Sequence, residues 1–214
     1  MIMRTALAIV VAVCSLSPAP QHGRLFPPEQ LGLLEGPDRD AWQQPEKIMD
    51  ALAIGEGSVV ADLGAGGGWF TVRLAHRVGP NGRVYAEDVQ RQMIEATMRR
   101  VGREGLANVT PILGASTDPH LKEPVDAVLI VETYHEIEHP TVFLRNVAAS
   151  LKPKGRIGIV EFKRDGYGPG PALEDRVDPE RIIREAEAAG LHLLSPPTIL
   201  TYQYLLVFGK PAAQ

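Results

Sequence analysis

The chain has 214 residues and a net charge of −4, with 44% hydrophobic and 22% charged residues. These values are typical of one globular domain with a sizeable core. The acidic balance argues against a nucleic-acid partner, which needs a basic surface. The single cysteine, Cys14, excludes a disulfide within the chain and a thiol nucleophile in the body of the protein.

The first 19 residues differ in character from the rest. Arg4 precedes an apolar run from Ala6 to Val13, and small residues and prolines follow as far as Ala19. This order is typical of a secretory signal peptide, and the run is too short to span a membrane. We therefore expect residues 1–19 to direct export, to the periplasm or a membrane surface, with no stable membrane span after processing. The alternative is an uncleaved N-terminal helix on a cytoplasmic protein.

Residues 20–44 are rich in Pro and Gly at first and predict an N-terminal arm, whereas residues 45–214 predict one folded domain. In that domain strand and helix signals alternate, which predicts an α/β fold, a parallel sheet with helices on both faces. Strands are expected at about 58–62, 83–88, 109–113, 125–131, 156–162, 191–195 and 201–208. Helices are expected from 45, at about 69–78, 90–104 and 140–151, and from 179 to 190. Pro111 moves the third strand toward an edge or a bulge, and the short last connection predicts an antiparallel pair.

The most informative run, residues 59–71, joins an apolar strand ending in Asp62 to a glycine loop and a helix start. Glycines let a backbone approach a ligand closely, and this order forms a nucleotide-binding crossover. The dinucleotide fingerprint is not met, because Trp69 stands where its third glycine is required. The acid two residues before Gly64 would repel a pyrophosphate and favours a cationic ligand. A glycine-rich turn without a ligand is the alternative.

The spacing of this loop resembles motif I of the class I S-adenosylmethionine-dependent methyltransferases, which reads Asp-x-Gly-x-Gly-x-Gly. The matching residues are Asp62, Gly64, Gly66 and Gly68. Residues 84–88 match the family's Val-Tyr-Ala-x-Asp pattern, which ends strand 2 in an acid. Residues 132–135 resemble the family's acid followed by Tyr-His after strand 4. The resemblance extends over about residues 40–210. It implies a Rossmann-like sheet of seven strands, mostly parallel, with helices on both faces and an antiparallel C-terminal strand pair.

The resemblance implies S-adenosyl-L-methionine as the cofactor, bound at the carboxyl ends of the strands. Asp88 would bind the ribose hydroxyls, and the alternative is that it only caps the next helix. Family members often carry an acid for the adenine amino group after strand 3, but Ala115 stands at that position. Ser116 and Asp118 are the candidates to replace it. The expected cofactor set is Asp62, Gly64, Ala65, Gly66, Gly68, Asp88, Val89, Ser116, Glu132 and Gln43.

Tyr134 and His135 are the catalytic candidates, because they would border the methyl acceptor. His135 could act as a base, since an ordinary histidine pKa near 6.5 suits proton abstraction at neutral pH; a structural, hydrogen-bonded histidine is the alternative. Trp42 and Gln43 are candidates for a lid over the cofactor. No metal is expected, because the nearby histidines and acids lack the His-Glu-x-x-His spacing.

The resemblance implies methyl transfer to an unidentified acceptor. The low charge and the Gly/Pro loop at residues 165–171 favour a small molecule over a nucleic acid. One alternative is a non-catalytic nucleotide-binding or scaffold protein that keeps the fold. Another is an NAD-dependent oxidoreductase, against which the missing glycine argues, as does Glu138 where a lysine would be needed after Tyr134. The sequence gives no indication of the oligomeric state.

Overall fold

Seven strands form one sheet in a computed structural model, which describes residues 25–166 and 168–211. In chain order they are β1 (Val59–Leu63), β2 (Arg83–Asp88), β3 (Val109–Leu113), β4 (Val125–Val131), β5 (Leu151–Phe162), β6 (His192–Ser195) and β7 (Gln203–Gly209). Their order across the sheet is β3-β2-β1-β4-β5-β7-β6. The predicted Rossmann-like α/β fold is confirmed.

The first five strands run parallel, with β1 and β4 at the centre. Pro111 lies in β3, which is an edge strand. Because no strand lies on the outer side of β3, the N–H that proline lacks is not needed to pair with a neighbour there. β4 is buried along almost its whole length, as its continuous apolar sequence predicts for a strand covered on both faces. The carboxyl ends of these strands therefore meet at one edge of the sheet.

β7 is antiparallel to both of its neighbours and lies between β5 and β6. Its side chains alternate between the two faces of the sheet: Leu205 and Val207 pack on one face, and Leu206 and Phe208 pack on the other. Burial on both faces explains the unbroken apolar run at the end of the domain. The predicted antiparallel pair is confirmed, and the structure adds that its second strand joins it to β5.

Six α-helices occur in the described ranges: α1 (Arg39–Gln43), α2 (Pro45–Ala51), α3 (Trp69–Val78), α4 (Arg91–Arg103), α5 (Pro140–Ala149) and α6 (Pro179–Ala188). α2 and α3 bury apolar residues on one face of the sheet, and α5 and α6 do so on the other. Helices on both faces leave the carboxyl edge of the sheet as the open surface. Within residues 25–166 and 168–211, no helix is long and apolar enough to cross a membrane.

The described part of the arm, residues 25–44, is more ordered than its sequence predicts. It contains a 3-10 helix at Pro28–Leu34 and the short helix α1, and Gln43 in α1 is completely buried. The polar sequence of this segment does not predict its burial, because the segment contacts the domain largely through hydrogen bonds, such as those from Gln43 to Glu132 and from Gln90 to the Phe26 carbonyl. The predicted signal peptide at residues 1–19 lies outside the described residues.

Candidate functional site

The glycine loop connects β1 to α3 and passes under the site. Gly64, Gly66 and Gly68 all have positive φ, at 71°, 55° and 79°, a conformation that glycine adopts without strain. A Cβ at Gly64 would also lie 2.3 Å from Cγ2 of Thr133, at the end of β4. The loop therefore needs glycine both for its backbone conformation and for close packing. Gly64, Ala65 and Gly66 line the cavity described below, whereas Gly68 forms the N-cap of α3.

Asp62, the penultimate residue of β1, is a buried carboxyl group, 3% exposed. Thr71 Oγ1 donates a hydrogen bond of 2.6 Å to its Oδ2 atom. Burial raises the pKa of Asp62 to about 6, although the bond from Thr71 opposes the shift. A carboxyl group held in this way gains from a nearby positive charge, because such a charge favours its ionised form.

Asp88 ends β2 and is held in place by two backbone amides. Its Oδ1 accepts from the Gln90 amide at 2.8 Å, and its Oδ2 accepts from the Gly66 amide at 3.0 Å. Asp88 thus connects the first turn after β2 to the glycine loop, and it still lines the cavity. Its neighbour Val89 lines the cavity as well, with its side chain exposed. Both residues therefore reach the cavity from the carboxyl end of β2.

Glu132 follows β4 with φ of 54°, an uncommon conformation for a residue with a side chain. Its Oε1 accepts from Gln43 Nε2 at 2.9 Å and from Gln203 Nε2 at 2.6 Å. Arg39 approaches the same oxygen at 4.0 Å. The Glu132 carboxyl group thus connects the arm, the end of β4 and β7 through these contacts. Burial raises the pKa of Glu132. Backbone strain of this kind is characteristic of functional sites.

His135 and Glu161 form a pair at the ends of β4 and β5. The Nδ1 atom of His135 lies 3.1 Å from both carboxylate oxygens of Glu161, whose side chain is fully buried. Glu136 approaches Nε2 at 3.9 Å. Burial alone would lower the pKa of His135, but the hydrogen bond and charge of Glu161, together with Glu136 and Glu132, raise it to about 9. His135 therefore carries a proton at neutral pH.

Tyr134 takes a different direction from His135. Its hydroxyl donates to Glu185 Oε2 in α6 at 2.7 Å, and its ring belongs to the core on that face of the sheet. Burial and the Glu185 carboxylate raise its pKa. The structure therefore places Tyr134 away from the cavity, where its contacts support the end of β4.

The arm covers the site. Arg39 lies over the Trp69 ring at 4.3 Å and donates to the Leu34 carbonyl at 2.6 Å. Trp42 contacts the rings of Phe162 and Tyr202, with centroid distances of 5.9 and 6.4 Å. Because both Arg39 and Trp42 line the cavity, α1 forms part of its wall. Gln43, the other predicted lid residue, acts instead through its bond to Glu132.

The cavity enclosed by these elements has a volume of about 760 Å³. Carboxyl side chains at or after the ends of β1, β2 and β4 form part of its lining: Asp62, Glu87, Asp88, Glu132 and Glu136. Apolar side chains form another part, among them Leu33, Trp42, Ile137, Phe162, Pro169, Pro171 and Tyr202. Arg39 and His135 are the cationic side chains among the described lining residues. The excess of carboxyl groups over cationic groups fits a ligand that carries positive charge, which a sulfonium and an ammonium group would supply.

Residues 169–171 of the loop at 165–171 form part of the cavity wall. Arg176 donates to the carbonyls of Lys163, Pro169 and Pro171, at 2.7, 3.3 and 3.1 Å. A Cβ at Gly170 would lie 2.7 Å from the Phe162 ring, so this glycine lets the loop pack directly on the ring. The described part of the loop is thus anchored to the domain. In residues 25–166 and 168–211 no group of His, Cys, Asp and Glu side chains could hold a metal ion.

Sequence reasoning missed three residues that the structure brings to the site. Glu161 stands near the carboxyl end of a predicted strand, and the rule that places ligands at such ends could have identified it. Arg39 and Gln203 gave no such signal, because they reach the site from the arm and from β7, which runs antiparallel. Ser116 lines the cavity after β3, as predicted, but Asp118 does not line it.

A family model for a methyltransferase domain matches residues 60–155. The chain is similar to the ubiquinone/menaquinone biosynthesis C-methyltransferase UbiE of Pasteurella multocida, with 30% identity over 56% of this chain and 46% of the relative. It is also similar to the nocamycin O-methyltransferase of Saccharothrix syringae, with 29% identity over 78% of this chain and 59% of the relative. The chain thus spans about half the length of the curated relatives that it matches.

Solved structures agree with these sequence relationships. A S-adenosylmethionine-dependent methyltransferase from Aquifex aeolicus has a TM-score of 0.80 and 27% identity, over 86% of this chain and 98% of that chain. An O-methyltransferase from neocarzinostatin biosynthesis, in complex with S-adenosylhomocysteine and 1,4-dihydroxy-2-naphthoic acid, shares the fold, with a TM-score of 0.66 and 18% identity. The matched region makes up 80% of this chain and 54% of that O-methyltransferase chain.

Proposed function

Because this chain belongs to the class I S-adenosylmethionine-dependent methyltransferases, we propose that it transfers a methyl group to a small-molecule acceptor. Its cofactor is S-adenosyl-L-methionine, which supplies a methyl group activated by the positive sulfur. The observation that carries the proposal is the cavity of about 760 Å³ at the carboxyl ends of the strands, whose lining combines carboxyl groups with apolar side chains. A cavity of that order holds small organic molecules, in the range of about 300–1,000 Å³.

The carboxyl groups of the lining suit the cofactor. Asp88, fixed by two amides, would offer acceptors to the ribose hydroxyls. Asp62 and Glu132 are acids that would favour the positive methionine end. Arg39, stacked over Trp69, would pair with the methionine carboxylate. Such contacts would position the methyl group, and positioning is the main contribution that a protein makes to such a displacement.

The apolar part of the lining suits an acceptor with an apolar or aromatic body and one nucleophilic group. His135 lines the cavity and is oriented by Glu161 at Nδ1, so its Nε2 atom is the one available to an acceptor. Removing a proton from the acceptor requires neutral His135, and its raised pKa means that the neutral form becomes dominant only above about pH 9. The walls formed by Trp42 and the loop at 165–171 exclude water from the transfer.

Two measurements test the proposal. Calorimetry should detect binding of S-adenosylmethionine and S-adenosylhomocysteine but not of NAD, and Asp88→Ala should weaken that binding by about 1–3 kcal/mol, because the ribose hydroxyls lose their partner. A screen with labelled methyl donor against small apolar phenols, amines and thiols should then reveal product. Equal binding by the wild type and by Gly66→Val, or NAD binding in place of S-adenosylhomocysteine, would contradict the proposal.

The N-terminal segment supports a further part of the proposal, that the protein is exported to the periplasm or to a membrane surface. The positive start at Arg4, the apolar run from Ala6 to Val13 and the small residues up to Ala19 support it. Cell fractionation and sequencing of the mature N-terminus test it. A soluble cytosolic protein that retains Met1 would refute export.

A further inference from the structure

The loop after β3 offers no acid to the cavity. Ala115, which follows Gly114, stands where related enzymes often carry the acid that binds the adenine amino group. Asp118 does not replace it: its Oδ1 accepts from the His120 amide at 2.8 Å, and its backbone bridges to Ala115. Ser116 lines the cavity but carries no charge. The adenine end of the site thus lacks the expected acid on its usual loop.

A carboxyl group lies beside this loop, on the neighbouring strand. Glu87, the penultimate residue of β2, is 2% exposed and lines the cavity. In the register of the sheet it is level with Leu63 on one side and Ile112 on the other, so it faces away from its neighbour Asp88. A Cβ at Gly114 would lie 1.8 Å from Glu87 Oε1. The missing side chain at Gly114 therefore provides the space that the carboxyl group occupies.

One oxygen of the Glu87 carboxyl group is also unsatisfied, although the group is hydrogen-bonded to the backbone of Gly64. Among side chains in residues 25–166 and 168–211, Glu87 Oε1 is the one buried nitrogen or oxygen atom without a hydrogen-bond partner. Burial and the nearby charges of Asp88, Asp62 and Asp118 raise its pKa well above the usual range. Leaving a buried polar atom unpaired destabilises the protein, so a ligand that supplies the partner should bind more tightly. Unpaired buried groups in folded proteins call for such an explanation.

The position of Glu87 identifies the part of the ligand that it would meet. In the proposed binding mode Glu132, after β4, meets the methionine end and Asp88, at the end of β2, meets the ribose, so the cofactor would extend across the strand ends toward β3. The base therefore lies at the ends of β2 and β3, next to Glu87. The amino edge of adenine pairs an N–H donor with a ring nitrogen acceptor. The unpaired Oε1 atom of Glu87 can accept from that N–H donor, whereas the inosyl base carries a carbonyl oxygen in place of the amino group and offers no donor there.

We propose that Glu87 recognises the amino edge of the cofactor's adenine and makes the site selective for adenosyl over inosyl ligands. This inference rests on the proposed function and names a specificity residue within the same site. It assigns to a strand residue the contact that related enzymes make from the loop after β3. It also gives Gly114 a role, since any side chain there would displace the carboxyl group.

Calorimetry with S-adenosylhomocysteine and S-inosylhomocysteine tests the assignment, because the two differ at the amino edge of the base. The wild type should prefer the adenosyl ligand by about 10- to 100-fold, as expected for a site built around one buried polar contact. Glu87→Ala should reduce that preference to less than about 3-fold, and Glu87→Gln should reduce it partly. Glu95→Gln, the same change on an exposed acid of α4, should retain the wild-type ratio.

Gly114→Ala provides a second variant that keeps the carboxyl group but moves it, and it should weaken the adenosyl ligand selectively. If Glu87→Gln and Gly114→Ala fold, bind S-adenosylhomocysteine and keep the wild-type preference, Glu87 does not read the base. If Asp118→Asn loses the preference for the adenosyl ligand and the Glu87 variants keep it, the loop after β3 contacts the base instead. A wild type that binds neither ligand would overturn the proposed function together with this inference, so the two failures are distinguishable.

Discussion

The Nδ1 atom of His135 lies 3.1 Å from both carboxylate oxygens of Glu161, although the two residues are 26 positions apart. The pairing arises because β4 and β5 are parallel neighbours whose carboxyl ends lie side by side. It fixes the orientation of the imidazole and adds a negative charge behind it. Both effects have measurable consequences.

His135→Ala should lower turnover of an acceptor that must lose a proton by about 100-fold or more, with cofactor affinity nearly unchanged. Because the pKa of His135 is raised to about 9, kcat/KM of the wild type should rise with pH as far as about 9. His139→Ala, which removes an exposed histidine four residues later, is the matched control. A flat profile between pH 6 and 9, or full turnover in His135→Ala, would assign His135 a structural role.

Glu161→Gln should lower the pKa of His135 toward or below 6.5, because the opposing effect of burial then dominates. NMR titration of the imidazole measures this directly. The raised pKa also links the pair to stability: the stabilisation is fully present below pH 6.5 and is lost as the pH rises through about 9. The variant should therefore lose more stability relative to the wild type at pH 6 than at pH 9.5, and an equal loss at both would contradict the linkage.

Gly64→Ala should destabilise the protein and weaken cofactor binding. The left-handed conformation costs an alanine about 1–2 kcal/mol, and its Cβ would overlap Thr133. The double variant Gly64→Ala/Thr133→Ala should recover part of the loss, since it removes the overlap but not the strain. Gly102→Ala, in α4 with open space around it, should instead raise stability by about 0.5–1 kcal/mol. Thermal unfolding compares all three, and no loss in Gly64→Ala would count against the loop geometry.

Affinity for S-adenosylmethionine should fall as the pH drops through about 6, because Asp62 then takes up a proton and no longer attracts the positive ligand. Thr71→Val removes the hydrogen bond that lowers the pKa of Asp62, so the fall should begin at a higher pH. Asp62→Asn should bind weakly and show a flatter pH profile. Titration calorimetry between pH 5 and 8 measures these profiles; the same midpoint in the wild type and Thr71→Val would exclude Asp62 as the group responsible.

Arg176→Lys should raise KM for the acceptor and leave cofactor affinity unchanged. The guanidinium of Arg176 donates to three carbonyls at and beside the loop at 165–171, and a lysine cannot reproduce that planar set. The loop would then lose its anchor on the apolar wall. Arg164→Lys, on an exposed ion pair with Asp178, is the control. A rise in the cofactor Kd, with KM for the acceptor unaltered, would place the loop over the wrong ligand.

Much of the fold was predictable because its signals are local. Short stretches of sequence are enough to identify the alternating strand and helix patterns, the position of Pro111 at an edge, and the glycines that mark turns. The position of β7 was not, because nothing local distinguishes a strand that extends a sheet from one that inserts between two others. The order of the arm was missed for a related reason, since α1 is stabilised by partners such as Glu132 that are far away in sequence.

The site residues likewise differ in whether local sequence predicts their position. Asp62, Asp88 and Glu132 stand directly at strand ends and could be located from sequence alone. Their partners could not, because Thr71 approaches Asp62 through the geometry of the loop, and Gln203 reaches Glu132 from the antiparallel end of the sheet. The sequence likewise suggested an ordinary pKa for His135, whereas the folded protein raises it through Glu161.

The insertion of β7 has a consequence for biosynthesis. During synthesis β5 and β6 are complete before β7 exists, and in the finished sheet neither pairs with the other. The nascent chain therefore holds an open, apolar edge at β5 and an unpaired strand until residue 209 has left the ribosome. Exposed edges of this kind invite pairing with other chains. Shortening the chain before Gln203 would leave that edge permanently open, so such fragments should aggregate instead of folding into a smaller sheet.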